Sequence, residues 1–168
     1  LRVAAGRRPQ TGTIGLETVG LEPGGFVAVG DDMRVPGREW LYAIGDVNGR
    51  ALLTHIGKYQ ARIAAEQILG RDARVHVLAD GPLAPRVVFT DPQVAAVGHT
   101  AESAATSGLA ARAIDHQTSA TAGASFHGRN TPGLSRIVVD EERRVLVGAT
   151  FTGSEVAEWL HAATVAIA

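Results

Sequence analysis

Apolar residues recur at helical spacing in the middle of the chain. Leu52, Ile56, Tyr59 and Ile63 follow one another at steps of four, three and four, the period that turns one face of an α-helix toward a core. Gly70 comes just after the last turn of this pattern, where a left-handed C′ glycine ends a helix. Upstream, Leu41-Tyr42-Ala43-Ile44 is a short apolar run broken by Gly45-Asp46, and Asn48-Gly49 marks a turn. Residues 40–70 therefore predict a strand, a turn with a carboxylate at its start, and a helix. A helix start carries unpaired amide donors and partial positive charge, so this junction suits a polar ligand. A structural turn with an N-terminal cap fits the same pattern.

Before this stretch the pattern is broken by glycine. Residues 1–9 read as a short strand ending at Gly6, with Arg7 and Arg8 solvated and Pro9 stopping any pairing. Residues 11–22 form a connector punctuated by Gly12, Gly15 and Gly20 and anchored by Ile14, Leu16 and Leu21. Phe26-Val27-Ala28-Val29 predicts a strand, Asp31-Asp32 a solvated turn or an acidic pair, and Met33-Arg34-Val35 a short return strand. After the helix, Asp80-Gly81-Pro82 reads as a linker, with His76 on the surface before it.

From Pro85 the period changes from helical to strand-like. Two β-branched runs flank Asp91-Pro92, and Thr100 caps a short helix with Glu102 in its first turn and Gly108 after its last. Residues 109–117, 134–140 and 145–152 predict strands. The last two are joined by Glu141-Glu142-Arg143-Arg144, the expected solvated tip of a hairpin. Residues 118–130 read as loop or irregular helix, where His127-Gly128-Arg129-Asn130 is either an anion site or an exposed loop tip. Ser154 is the expected N-cap of a final helix striped by Val156, Leu160, Ala163 and Ile167, with Trp159 and Ala166 widening the stripe and His161 off it.

Composition narrows the chemistry more than the fold. The 168 residues are 45% hydrophobic and 20% charged, with a net charge of -1, which gives no electrostatic reason for a nucleic-acid or membrane-surface partner. No apolar run approaches the roughly 18 residues of a membrane span. There is no cysteine, so disulfides, thiolate metal sites and cysteine nucleophiles lie outside this chain. Histidines show no metal-ligand spacing, and no metal site is expected. The expected compartment is the cytoplasm.

Three segments, in order, resemble one family. Tyr42-Ala43-Ile44-Gly45-Asp46-Val47, followed by Thr54-His55, resembles the second FAD-contacting motif of the pyridine nucleotide-disulfide oxidoreductases, the flavoenzymes that include dihydrolipoamide dehydrogenase, glutathione reductase and mercuric reductase. Ala5-Gly6-Arg7-Arg8-Pro9 resembles the segment where such chains leave their NAD domain. Residues 85–98 resemble the first strands of their C-terminal interface domain. The resemblance implies an α/β (α+β) chain: residues 1–80 as the end of a Rossmann-like FAD domain, with a trailing edge of the NAD domain, and residues 81–168 as a mostly antiparallel dimerisation domain. It places Gly45, Asp46, Thr54 and His55 at the flavin and Gly6 beside the nicotinamide nucleotide. Asp46 would accept a hydrogen bond from a ribityl hydroxyl, and the Thr54 backbone N–H would face the pyrimidine edge of the flavin. Histidines at the position of His55 need no proton-transfer role.

The family's Gly-x-Gly-x-x-Gly for the FAD pyrophosphate, its redox cysteine pair and its C-terminal His-Pro…Glu segment have no counterpart here. The chain thus reads as a C-terminal piece of a flavoprotein that uses FAD and NAD(P) and forms a homodimer. No catalytic residue is assigned, and FAD retention and activity in isolation are expected to be weak or nil. A stand-alone dimerisation module, and a cysteine-less relative such as a quinone reductase or transhydrogenase, are the alternatives.

Overall fold

The computed structural model describes residues 4–127 and 132–168. Two compact units divide the chain, Leu1–Pro82 and Leu83–Ala168, and each is built differently.

The first unit holds little sheet. Strands β1 (Arg34–Val35) and β2 (Arg38–Tyr42) form an antiparallel hairpin. Among the described residues Phe26–Val29 pairs with no strand. The Val27 N–H is taken by the Val47 carbonyl at 3.0 Å, so this segment packs against the turn after β2 rather than entering a ladder. Val27 is buried all the same, clustering with Leu16 and Val35. Ile14 does not anchor the connector and is largely exposed. The β2 strand starts earlier than its apolar run and stops at Tyr42. Gly45, at φ +75°, then bends the chain into a 3-10 turn over Gly45–Asn48, which Gly49 closes at φ +72°. Helix α1 (Thr54–Ile68) follows. Ile56 and Ile63 face inward as their spacing requires, and Ile63 packs with Met33 and Ala64. Gly70 at φ +77° ends the helix in a Schellman arrangement: its N–H bonds the Gln67 carbonyl and the Arg71 N–H bonds that of Glu66.

The second unit is an antiparallel sheet of five strands in the order β3-β4-β7-β6-β5: β3 (Arg86–Val88), β4 (Gln93–Gly98), β5 (Ala111–Gln117), β6 (Leu134–Asp140) and β7 (Val145–Gly153). The Asp91-Pro92 bond between β3 and β4 is cis. Helix α2 (Ala101–Thr106) opens with a capping box, in which Thr100 and Ser103 exchange side-chain and backbone bonds. Helix α3 (Leu160–Ile167) closes the chain. The core lies where β4 and β7 meet this helix. It comprises Ala95, Val97, Ala149, Val156 and Leu160, with Phe151, Ala163 and Ile167 against it. Ser154 does not cap this last segment: Glu155 holds the N-cap position at φ +55° without a side-chain cap bond. Ala166 is exposed and adds nothing to the stripe.

The architecture is therefore mixed α/β with antiparallel sheets, as the family resemblance implies. No helix among the described residues is long and apolar enough to cross a membrane.

Candidate functional site

The residues singled out by sequence gather at one corner of the first unit. Gly6 sits at φ +86° with open space around it. The chain beyond it sends Arg7 across to the 3-10 turn. One guanidinium nitrogen of Arg7 donates to Asp46 Oδ2 at 2.9 Å and to the Leu52 carbonyl at 2.8 Å. That single nitrogen brings the Asp46 carboxylate beside the entry to α1. Asp46 itself is about half exposed, and Thr54 and His55, the first two residues of α1, are exposed. Leu53 at the N-cap contributes no side-chain cap bond. An accessible carboxylate therefore stands next to a helix N-terminus, pairing an acceptor for hydroxyl groups with a site that favours negative charge.

Glycine makes this closeness possible. A Cβ on Gly57 would come within 3.2 Å of the Gly45 Cα, so the 3-10 turn lies directly on the second turn of α1. Gly45 needs its left-handed φ to start that turn.

Below the turn is a buried polar cluster that pattern reading missed. Gln60 is fully buried. Its Oε1 accepts from the Gly45 N–H at 2.7 Å and from Asn48 Nδ2 at 2.8 Å, and its Nε2 donates to Asp80 Oδ1 at 2.8 Å. Asn48 Nδ2 also donates to the Ala43 carbonyl, and Asn48 Oδ1 accepts the Arg50 N–H. Arg50 Nε donates to Asp80 Oδ2, and its Nη2 donates to Asp31 at 2.8 Å. Burial works against the Arg50 charge, but the bonds to Asp80 and Asp31 outweigh it and its pKa is raised. Asp80, in the stretch that reads as a linker, is only 3% exposed. Asp31 is half of the acidic pair, and its partner is Arg50. Among the described residues, no three His, Asp or Glu side chains are grouped as a metal site would require.

A signal for this cluster was present. Gln60 and Gln67 fall in phase with Ile56 and Ile63, and all four are buried on one face of α1. A polar residue in register with an apolar stripe must find buried partners. Arg7 left no such sign, because its partners lie 39 and 45 positions away.

A separate concavity of about 390 Å³ in the second unit is lined by Thr118, His127, Glu155, Glu158 and Trp159, among others. It takes in none of the residues of the corner described above. His127 is exposed, and Gly128, Arg129 and Asn130 of the candidate anion loop lie outside the described residues.

Comparison with known proteins agrees with the fold. Dihydrolipoyl dehydrogenase 3 of Haloarcula marismortui is 38% identical over 109 residues, covering 64% of this chain and 22% of that protein. The dihydrolipoyl dehydrogenase of Bacillus subtilis is 40% identical over 111 residues, covering 64% and 22%. LpdA of Mycobacterium tuberculosis superposes with a TM-score of 0.79 at 26% identity over 95% of this chain and 34% of its own. The HOCl-induced flavoprotein disulfide reductase RclA of Escherichia coli shares the fold, with a TM-score of 0.81 at 24% identity over 98% of this chain and 37% of its own. The chain thus spans about a fifth of the length of these curated relatives. Residues 84–168, half of the chain, match the pyridine nucleotide-disulphide oxidoreductase dimerisation domain, and the chain belongs to that family.

Proposed function

We propose that the chain contributes the flavin-facing turn and the dimerisation domain of an FAD-dependent oxidoreductase that moves electrons between NAD(P)H and a disulfide or related acceptor. The observation that carries this reading is the corner at which Arg7 joins Asp46 to the start of α1. FAD, when bound, supplies the redox chemistry; the chain's own residues bind and orient it. Residues 1–80 belong to the FAD domain and residues 81–168 to the dimerisation domain. Asp46 accepts from a polyol hydroxyl, for which its exposed carboxylate is suited. The first turn of α1, at Thr54 and His55, faces the edge of the flavin that gains negative charge on reduction, where a helix N-terminus stabilises the anion. Gly45 shapes the turn, and Gly6 lies where the nicotinamide nucleotide approaches. The residues present fit the group: one accessible acceptor, one helix start, and a left-handed glycine between strand and turn.

By this reading the isolated chain holds FAD weakly, forms a homodimer in a cytoplasmic setting, and catalyses nothing alone. The test is an NMR titration of the isotopically labelled chain with FAD, with native mass and visible absorbance measured on the same sample. Before FAD is added the sample is expected to be a colourless dimer; on addition, amide shifts are expected at Gly45, Asp46, Thr54 and His55 and are abolished in Asp46→Ala. Shifts elsewhere, or shifts unchanged in Asp46→Ala, would overturn the flavin assignment. The family match, confined to residues 84–168, favours one second reading, a dimerisation module without redox function. That reading predicts the dimer with no response to FAD.

A further inference from the structure

We infer that Gln60, braced by Asp80, is the positioning residue of the flavin-facing turn: it fixes the Gly45–Asn48 segment and so sets where the Asp46 carboxylate stands. The inference rests on the flavin reading for its functional consequence, and on hydrogen bonding alone for its structural one.

The Asp46 side chain is about half exposed, and among the described residues its hydrogen-bond partner is the exposed Arg7. Its position therefore depends on the backbone that carries it. That backbone is held from below. The residue before Asp46 gives its N–H to Gln60, and the residue two after it gives its side-chain amide to the same Gln60 oxygen. Gln60 stands on α1, the helix whose N-terminus forms the other half of the corner. One side chain thus ties the carboxylate-bearing turn to the helix that presents the amides. Gln60 is itself kept from rotating, because its Nε2 is committed to Asp80, and Asp80 is committed to Arg50 on its other oxygen. Gln60, Asn48 and Asp80 are all buried, and among the described residues no buried side-chain N or O lacks a partner. A satisfied buried network holds a single geometry, and breaking one link leaves several groups unpaired at once.

The test compares Gln60→Leu with Gln60→Glu in the full chain, reading Gly45 amide exchange without ligand and FAD affinity by titration. Gln60→Leu removes the acceptor and the donor together. The Gly45 amide is expected to exchange faster and FAD binding to weaken by about tenfold. Gln60→Glu keeps an oxygen for Gly45 and Asn48 but sets a carboxylate against Asp80. It is expected to protect the Gly45 amide better than Gln60→Leu does, and to bind FAD more tightly than that variant though more weakly than the unaltered chain. Should Gln60→Leu fail to fold, Gln60→Asn, whose shorter side chain cannot reach Gly45 and Asp80 together, takes its place. Gly45 protection unchanged in Gln60→Leu, or no better in Gln60→Glu than in Gln60→Leu, would overturn the inference. If Gly45 loosens as expected but the unaltered chain never responds to FAD, the positioning role stands and the flavin reading fails.

Discussion

The two units solve the same problem with different materials. The second buries apolar side chains between a five-stranded sheet and a helix: Val97 and Val156 are fully buried, with Ala95 and Ala149 beside them. The first has a two-stranded hairpin and a single long helix, and much of its interior is polar. Thr11, Asn48, Gln60, Gln67 and Asp80 are buried there, against Thr118 and Asp140 in the second unit. Apolar burial is non-directional and tolerates small shifts. Hydrogen-bonded burial is directional and fixes positions. The unit that carries the candidate site is the one whose interior specifies geometry, and the unit that matches a dimerisation domain is the one built on packing.

Substitutions should separate these two modes. The largest effect is expected from Gly148→Ala in the second unit, where an added Cβ would come within 1.8 Å of the His99 carbonyl oxygen. Backbone cannot yield to that contact, so a loss of about 4 kcal/mol or more is expected, measured as a collapse of the denaturation midpoint. A stable variant would mean that β7 does not run so close to the end of β4. Asp80→Ala in the first unit comes next. It strands the Gln60 amide and one face of Arg50, and because Arg50 is partly solvated a loss of about 3 kcal/mol is expected, at the low end for a broken buried pair. If urea unfolding moves by less than a third of that, the polar cluster is not what holds this unit. Val156→Ala leaves a cavity in the packed core at an expected cost of about 2 kcal/mol, without disturbing the Gly45 amide.

The smallest effect concerns a surface pair. Asp115 and Arg136 face each other across β5 and β6 in a bidentate pair at 2.6 and 2.7 Å. The hydrogen bonds from Arg136 hold the Asp115 carboxyl below its ordinary pKa. A lowered folded pKa means that the unfolded chain binds more protons in this range. The pair's contribution is therefore complete above the ordinary carboxylate range and is lost as pH falls through the lowered value. Both side chains are exposed, so the contribution is small and weakens with salt. Thermal midpoints of the unaltered chain and Asp115→Asn should differ slightly at neutral pH and converge in acid. A gap that widens on acidification would contradict the pairing.

Several features of this molecule were legible without the structure. The α1 stripe, its Gly70 stop, the Thr100 cap and the two hairpins of the second unit, β3–β4 and β6–β7, follow from short-range periodicity and turn chemistry. The Gly45-Asp46 break was legible for the same reason, since a left-handed glycine and its neighbours are local. Failures cluster where the environment decides. Phe26–Val29 has the composition of a strand but finds no ladder partner among the described residues, and Ser154 has the chemistry of a cap but stands one residue outside the N-cap. Asp80 looks like linker because aspartate beside Gly-Pro usually is.

The sequence by itself determined helix α1 and its stop, the turn that carries Asp46 and the family to which the chain belongs, because each is written in residues a few positions apart. Only the tertiary structure decided that Arg7 reaches Asp46, that Gln60 holds the turn, and that Asp80 is interior rather than linker. Those contacts join residues 12 to 45 positions apart through single side-chain hydrogen bonds. Such bonds have no period to read, and their partners are chosen only when folding removes water from the groups that must then satisfy one another.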